Sequence, residues 1–286
     1  MKIGDIVVRK SYDKDIIFRI IDIKEVRGKV YCILKGLSIR IIADSPKDDL
    51  EVVDYVYVEE KEKILNNRVN EAMKKAKSMQ KRIGMREQIN CRINKNTKAQ
   101  AVNNDMFFGR PGKILHIDGD EEYLETCLKV YKQLSLDAVG KAIAEKEQWT
   151  KVIDIVVLTG HDSVIKSTDD YLDLENYRNT KYYIEAVKAL RDYNSSYDEL
   201  VIFAGACQSC YECLLDAGAN FASSPSRVLI HCLDPVFVCE KIAYTKIDEV
   251  VSITDLVEGT ITGIKGIGGL QTRGKYREGY PRSNYI

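Results

Sequence analysis

Asp154-Ile155-Val156-Val157-Leu158-Thr159-Gly160-His161-Asp162 and Glu199-Leu200-Val201-Ile202-Phe203-Ala204-Gly205-Ala206-Cys207-Gln208-Ser209 decide how this chain is read. Each is a short apolar run that ends in glycine followed by a polar or nucleophilic side chain. Runs without polar alternation suit strands buried on both faces, as in a parallel sheet covered by helices. Working outward, Lys113–Ile117 is a similar run that ends in Asp118-Gly119-Asp120, and Asp137–Ala142 reads as another strand. Glu121–Leu134, Lys181–Arg191 and Cys210–Ala217 carry helical patterns, and Val228–Cys232 is extended. This strand–helix repetition predicts an α/β fold, a three-layer domain with a mainly parallel sheet over residues 111–286.

The upstream sequence is of another kind. Asp5–Lys10, Ile16–Ile23, Lys29–Leu34, Ile39–Ala43 and Leu50–Val53 are rich in Val and Ile and are separated by turn residues such as Gly28, Gly36 and Pro46. Five closely spaced strands predict a small SH3-like β-barrel over residues 1–58, a docking module without chemistry of its own. Glu59–Lys81 has Ile64, Leu65, Val69, Ala72, Met73 and Ala76 at helical spacings. Arg82–Arg110 is polar, rich in Asn and without periodicity, so it reads as an exposed linker. Residues 59–110 thus form a basic connector.

Charge follows the same partition. The 286 residues hold 43 basic and 43 acidic side chains, but the balance is −1 over residues 1–60, +9 over 61–100 and −8 over 101–286. A zero total argues against a globally basic nucleic-acid binder, and the Lys-rich connector reads as a solvated helix face. With 45% apolar and 30% charged residues, the chain can bury a sizeable core and is not disordered. No apolar run reaches the ~18 residues of a membrane span, and Met1–Arg9 lacks a signal-peptide core. Eight scattered cysteines are then expected as reduced thiols in a cytosolic protein.

In parallel sheets, functional groups gather beyond the carboxyl ends of the strands. That rule singles out Asp118-Gly119-Asp120, Gly160-His161-Asp162 and Gly205-Ala206-Cys207. An imidazole and a thiol stand at the ends of two apolar strands, and adjacent parallel strands lie ~4.8 Å apart. A neighbouring His activates a thiol, and a helix beginning just after Cys207 would lower its pKa further. A lone buried Cys usually packs a core, and a lone loop His is usually a hydrogen-bonded surface group. Their joint occurrence at strand ends, 46 residues apart, supports a Cys207–His161 pair. Caspase-type peptidases place a His about 50 residues before the Cys of a Gln-Ala-Cys motif. Here Ala206-Cys207-Gln208 keeps part of that pattern.

Other constellations are weaker. Cys207, Cys210 and Cys213 have a C-x-x-C-x-x-C spacing, with Cys232 or Cys239 as a fourth ligand of an iron–sulfur cluster, yet that spacing crosses a strand end and a helix. No second Cys pair completes a zinc site. Gly263–Gly269 lacks the Lys-Ser/Thr of a phosphate loop and reads as a mobile tail. His116 and His231 lie in extended segments and read as structural. No metal or cofactor is expected.

With these residues in view, the sequence resembles the YabG sporulation proteases of spore-forming Firmicutes along nearly its whole length. The resemblance is carried by Gly4-Asp5-Ile6-Val7-Val8-Arg9-Lys10-Ser11-Tyr12, Leu115-His116-Ile117-Asp118-Gly119-Asp120, Leu158-Thr159-Gly160-His161-Asp162 and Val201-Ile202-Phe203-Ala204-Gly205-Ala206-Cys207-Gln208-Ser209. The longest block is Ala217-Gly218-Ala219-Asn220-Phe221-Ala222-Ser223-Ser224-Pro225-Ser226-Arg227. It implies an endopeptidase of the sporulating mother-cell cytoplasm, with retention in the spore coat as a further expectation. Its implied substrates are spore-coat and cortex-assembly proteins, cleaved after Arg.

The likeness to caspase-type cysteine peptidases implies Cys207 as nucleophile, His161 as base and the Cys207 main-chain N–H as oxyanion donor. The His-Gly pair of that clan is His161-Asp162 here. Arg selection calls for a carboxylate in the specificity pocket, with Asp118 and Asp120 leading, Asp162 behind them and the Ser223–Ser226 region as a further location. Helix capping is the competing role for the Asp118-Gly119-Asp120 turn. Arg82, Arg86, Arg92 and Arg110 are expected self-cleavage sites. A non-catalytic morphogenetic protein and a thiol amidase acting on cell-wall material are the competing functions.

Overall fold

Val7, Phe18, Ile20, Cys32, Leu34 and Leu50 are buried together in the first sheet, which this computed structural model forms from β1 (Ile6–Arg9), β2 (Ile17–Val26), β3 (Lys29–Gly36), β4 (Ile42–Pro46) and β5 (Leu50–Val52). The strands are antiparallel in the order β4-β3-β2-β1-β5. A bulge at Ile20/Asp22 bends the long β2–β3 ribbon, giving a small barrel-like unit. The structure describes residues 1–26, 28–93, 108–144, 154–165 and 170–280.

One strand differs from expectation. β4 begins at Ile42, and Ile39–Ile41 is a loop that leaves the sheet. The cause is local. Gly36 N–H donates to the Ile41 carbonyl at 2.9 Å, and Ile41 N–H donates back to Ile39 at 2.8 Å. A Cβ on Gly36 would lie 2.3 Å from the Ile39 oxygen, so glycine is needed there.

Helix α1 (Tyr55–Ile93) is longer than its apolar periodicity suggests. It runs twelve residues past Lys81, because Lys, Arg, Gln, Met and Glu are adequate helix formers without an apolar stripe. The expected linker therefore shrinks. Arg82, Arg86 and Arg92 lie on α1, Arg110 lies in β6 (Phe108–Arg110), and residues 94–107 lie outside the described residues.

The main sheet comprises β7 (Ile114–Asp118), β8 (Ala138–Ala142), β9 (Ile155–Thr159), β10 (Val201–Ala204), β11 (Phe221–Ser223) and β12 (Ile267–Gly269), in the order β12-β11-β10-β9-β7-β8. All neighbours are parallel except β11 and β12. The sheet is α/β in three layers. Ile114, Ile155, Val157, Val201, Phe203 and Phe221 face α2 (Glu121–Gln133), α5 (Asp234–Tyr244) and α6 (Ile253–Gly259), with Ala72 and Ala76 of α1 joining them. Leu115, Ile117, Val156, Leu158, Ile202 and Ala204 face α3 (Thr180–Tyr193) and α4 (Tyr211–Asp216). β7, β9 and β10 are buried at every position, as unbroken apolar runs require.

Gly263–Gly269 is not a tail. Ile267 is buried and β12 pairs with β11, while β13 (Arg277–Gly279) pairs with β6. The glycines permit this approach, since a Cβ on Gly269 would lie 2.3 Å from the Phe221 ring. Val228–Cys232 forms no strand and makes a single bridge from His231 to Ile39. Cys210 and Cys213 form a disulfide, against the expectation of free thiols, and two ligands of the iron–sulfur reading are thereby consumed. No helix among the described residues is long and apolar enough to cross a membrane.

Candidate active site

The chain leaves β7 toward β8 on one side and returns in β9 on the other, so the strand order reverses between β7 and β9. Such a reversal opens a crevice at the carboxyl ends of the strands. Asp118 is paired with Thr159 in register, and Leu158 with Ala204. His161 and Cys207 therefore each stand three residues beyond a matched pair on neighbouring strands. Gly205 makes the turn after β10 at φ 104°, where a Cβ would meet Ser223 Oγ at 2.7 Å.

His161 is fixed by Asp120, whose Oδ2 lies 2.9 Å from Nε2. Asp120 also caps α2, accepting from the N–H groups of Glu122 and Tyr123 at 3.0 and 3.2 Å. The capping role is thus real for Asp120 and coexists with its hold on the imidazole. Lys35 of β3 reaches the same carboxylate at 2.7 Å. Burial pushes the Asp120 carboxyl up, but the His161 and Lys35 hydrogen bonds outweigh it and hold the group well below the usual carboxylate range.

Asp118 has a partner that the sequence reading missed. Arg40, in the loop that leaves the barrel, is fully buried and sets Nη1 2.9 Å from Asp118 Oδ1 and 2.7 Å from Oδ2. Its Nη2 donates to the Cys232 carbonyl at 3.1 Å and to Cys127 Sγ at 3.5 Å. Burial disfavours ionisation of both partners, and their attraction more than offsets it: Asp118 is shifted down and Arg40 up. His116, behind them, is held by Tyr131 at 3.0 Å, and burial lowers its pKa. Its structural role matches expectation.

Tyr123 of α2 connects these groups. Its hydroxyl lies 2.6 and 2.7 Å from the Gly36 and Ile39 carbonyl oxygens, and its ring centroid is 5.0 Å from the Arg40 guanidinium and 5.7 Å from that of His161. The loop is pinned from the other side by Cys232 N–H to Ser38 O at 3.2 Å.

Cys207 is buried, with Sγ accepting from Ile230 N–H at 3.3 Å. Burial pushes its thiol up to about 12, against smaller lowering effects from the Ile230 and Arg40 main-chain N–H groups and the Arg40 charge. The expected activation by a helix terminus does not occur, because α4 begins only at Tyr211. Cys207 is as buried as the other free thiols among the described residues.

Asp162 does not face this cluster as a free carboxylate. It accepts from Thr180 Oγ1, from Ser209 Oγ at 2.8 Å, and from the N–H groups of Asn179 and Ser163 at 2.8 and 2.9 Å. Ser209 in turn accepts from Ala206 N–H at 2.9 Å. Asp162 therefore ties the loop after β9 to the loop after β10. Ser223 and Ser224 are likewise spent on the Ala206 and Val228 carbonyls.

The sequence profile described as YabG peptidase U57 matches residues 2–281. The chain belongs to this peptidase family. It is 40% identical over 289 residues to the sporulation-specific protease YabG of Bacillus subtilis (strain 168), covering 98% of each chain. No solved structure matches it. Family membership makes the protein a peptidase of a sporulation-specific kind, as the resemblance implied.

The ion pairs predict acid sensitivity. Asp118 and Asp120 both titrate below their ordinary value of 3.8, so their contribution is complete above that value and is lost as the pH falls through the depressed folded values. Hydrogen exchange should show residues 36–41 and 228–232 losing protection below ~pH 4. Protection unchanged down to the acid limit of the measurement would mean that these pairs do not hold the loop.

Proposed function

We propose that this peptidase is a cysteine endopeptidase with Cys207 as nucleophile and His161 as general base. It cleaves after Arg in proteins of the spore coat and of cortex assembly, within the mother cell. The observation that supports this reading is that the thiol and the imidazole stand at matched positions beyond the ends of the neighbouring strands β10 and β9, with Asp120 holding the imidazole. In this reading residues 111–286 form the catalytic unit, residues 1–58 the docking module and residues 59–110 the connector.

The chemistry follows from the geometry. Asp120 occupies His161 Nε2, which assigns Nδ1 to take the Cys207 proton. The thiolate attacks the carbonyl carbon of the Arg residue, and the Cys207 main-chain N–H stabilises the developing oxyanion. Collapse forms a thioester and expels the amine, which takes its proton from His161. Water then hydrolyses the thioester. Asp118 receives the substrate guanidinium, the chemistry it already performs for Arg40.

Three tests follow. Cys207→Ala and His161→Ala should each abolish cleavage of an Arg-containing peptide while circular dichroism stays unchanged, because the pair acts as a unit. Activity persisting in Cys207→Ala, now sensitive to serine- or metal-directed inhibitors, would remove the assignment. Asp118→Asn, made together with Arg40→Ala so that no buried guanidinium is left unpaired, should raise KM for Arg peptides relative to Arg40→Ala alone, whereas Asp120→Asn should mainly lower kcat by loosening the imidazole; equal effects on both constants in both variants would argue against these separate roles.

Self-processing is the third. A protease needs extended backbone, so cuts after Arg82, Arg86 or Arg92 require the end of α1 to unwind, and a cut after Arg110 requires β6 to leave β13. Wild-type protein should still convert on storage into a fragment starting between Ile83 and Pro111, with Cys207→Ala intact. Equal nicking of both, or cuts not preceded by Arg on N-terminal sequencing, would exclude it.

A further inference from the structure

We propose that Ser38-Ile39-Arg40 is an internal pseudosubstrate: it fills the arginine subsite formed by Asp118 and the Cys232 carbonyl, covers Cys207, and keeps the peptidase latent until the loop withdraws. This rests on the cysteine-peptidase reading above and adds a resting state to it. Four observations coincide. The guanidinium is sealed against Asp118. Ile230, next to the His231–Cys232 segment that pairs with this loop, donates its N–H to Cys207 Sγ at 3.3 Å. Ile39 bridges His231 in antiparallel fashion, and Ser38 accepts from Cys232 N–H. The occupied nucleophile is fully buried.

This segment lies as an extended peptide would lie in a protease cleft, with strand-like pairing on one side and the specificity side chain in its pocket. Arg40 Nε has no hydrogen-bond partner among the described residues. The pocket thus grips two of the three guanidinium nitrogens, as suits an occupant that has to leave.

The loop is also built to escape cleavage. Ile41 N–H donates to Ile39 O at 2.8 Å, closing a three-residue turn centred on Arg40. The chain therefore folds back toward β4 at Ile42 rather than continuing extended past the reactive sulfur.

The test compares wild type, Arg40→Ala and Tyr123→Phe. Iodoacetamide labelling of Cys207, read by peptide mass mapping, needs no catalysis and should be about tenfold faster in Arg40→Ala, since access scales with the open fraction. Hydrolysis of a fluorogenic Arg amide at low concentration should rise in parallel. Agmatine, the guanidinium probe, should raise the Tm of Arg40→Ala combined with Cys207→Ala and leave that of wild type unchanged, while butylamine should shift neither.

Tyr123→Phe releases the Gly36 and Ile39 carbonyls but spares the buried ion pair, so it covers the case in which Arg40→Ala does not fold; a smaller rise in labelling is expected. Unchanged labelling in every folded variant, or no selective agmatine stabilisation, overturns the pseudosubstrate. Cleavage of the wild-type chain between Arg40 and Ile41 overturns it too, by making the loop a substrate. Faster labelling and agmatine binding without any peptide hydrolysis would instead defeat the peptidase chemistry and leave the occupied pocket standing.

Discussion

Arg40 and Asp118 form an ion pair with no solvent contact, and the relation between barrel and sheet hangs on it. Removing two charges from water costs several kcal/mol per ion, and only close geometry with further hydrogen bonds recovers it. Here Nη1 lies against both Asp118 oxygens and Nη2 reaches the Cys232 carbonyl. Neither charge is tolerable alone. The barrel loop therefore belongs in the crevice as long as Asp118 is ionised and dry, and the weaker Lys35–Glu122 and Arg19–Glu122 contacts, partly exposed and screened, merely line the rim.

Much of the fold was legible because burial on both faces leaves a strong imprint. The apolar runs at 113–117, 154–158 and 199–204 match β7, β9 and β10 within one or two residues. Asp118, Asp120, His161 and Cys207 could then be placed by the rule of strand ends alone. β11 and β12 leave little imprint because each has only three residues, and the two glycines of β12 disguise tight packing as slack. α1 was cut short because its later turns carry no apolar stripe, and helix propensity by itself is a weak signal.

The occupant of the crevice was the harder problem. Ile39-Arg40-Ile41-Ile42-Ala43 reads as strand, and a charged residue in such a run is normally assigned to the solvated face. The signal present was the position of Gly36, which frees the backbone to turn just before the run. What the sequence could not convey is that the solvent-facing side of one unit is the interior of another. Likewise Asp162, next to His161 in sequence, looked like a pocket residue, and only its four donors reveal it as a tie between two loops.

Latency and proteolysis are linked through the tether. A pseudosubstrate on the same chain competes at an effective concentration on the order of millimolar, comparable with or above the KM of ordinary peptide substrates. Burial also pushes the Cys207 thiol up, which disfavours the thiolate. Substrate alone thus competes poorly. α1 leads from the barrel into the connector and packs through Ala72 and Ala76 on the α5 side of the sheet, so the barrel cannot drift away intact. A cut between α1 and β7 changes the arithmetic, because the barrel and α1 are then held to the sheet by non-covalent contacts alone. In such a design the connector, rather than the catalytic residues, sets when the enzyme turns on.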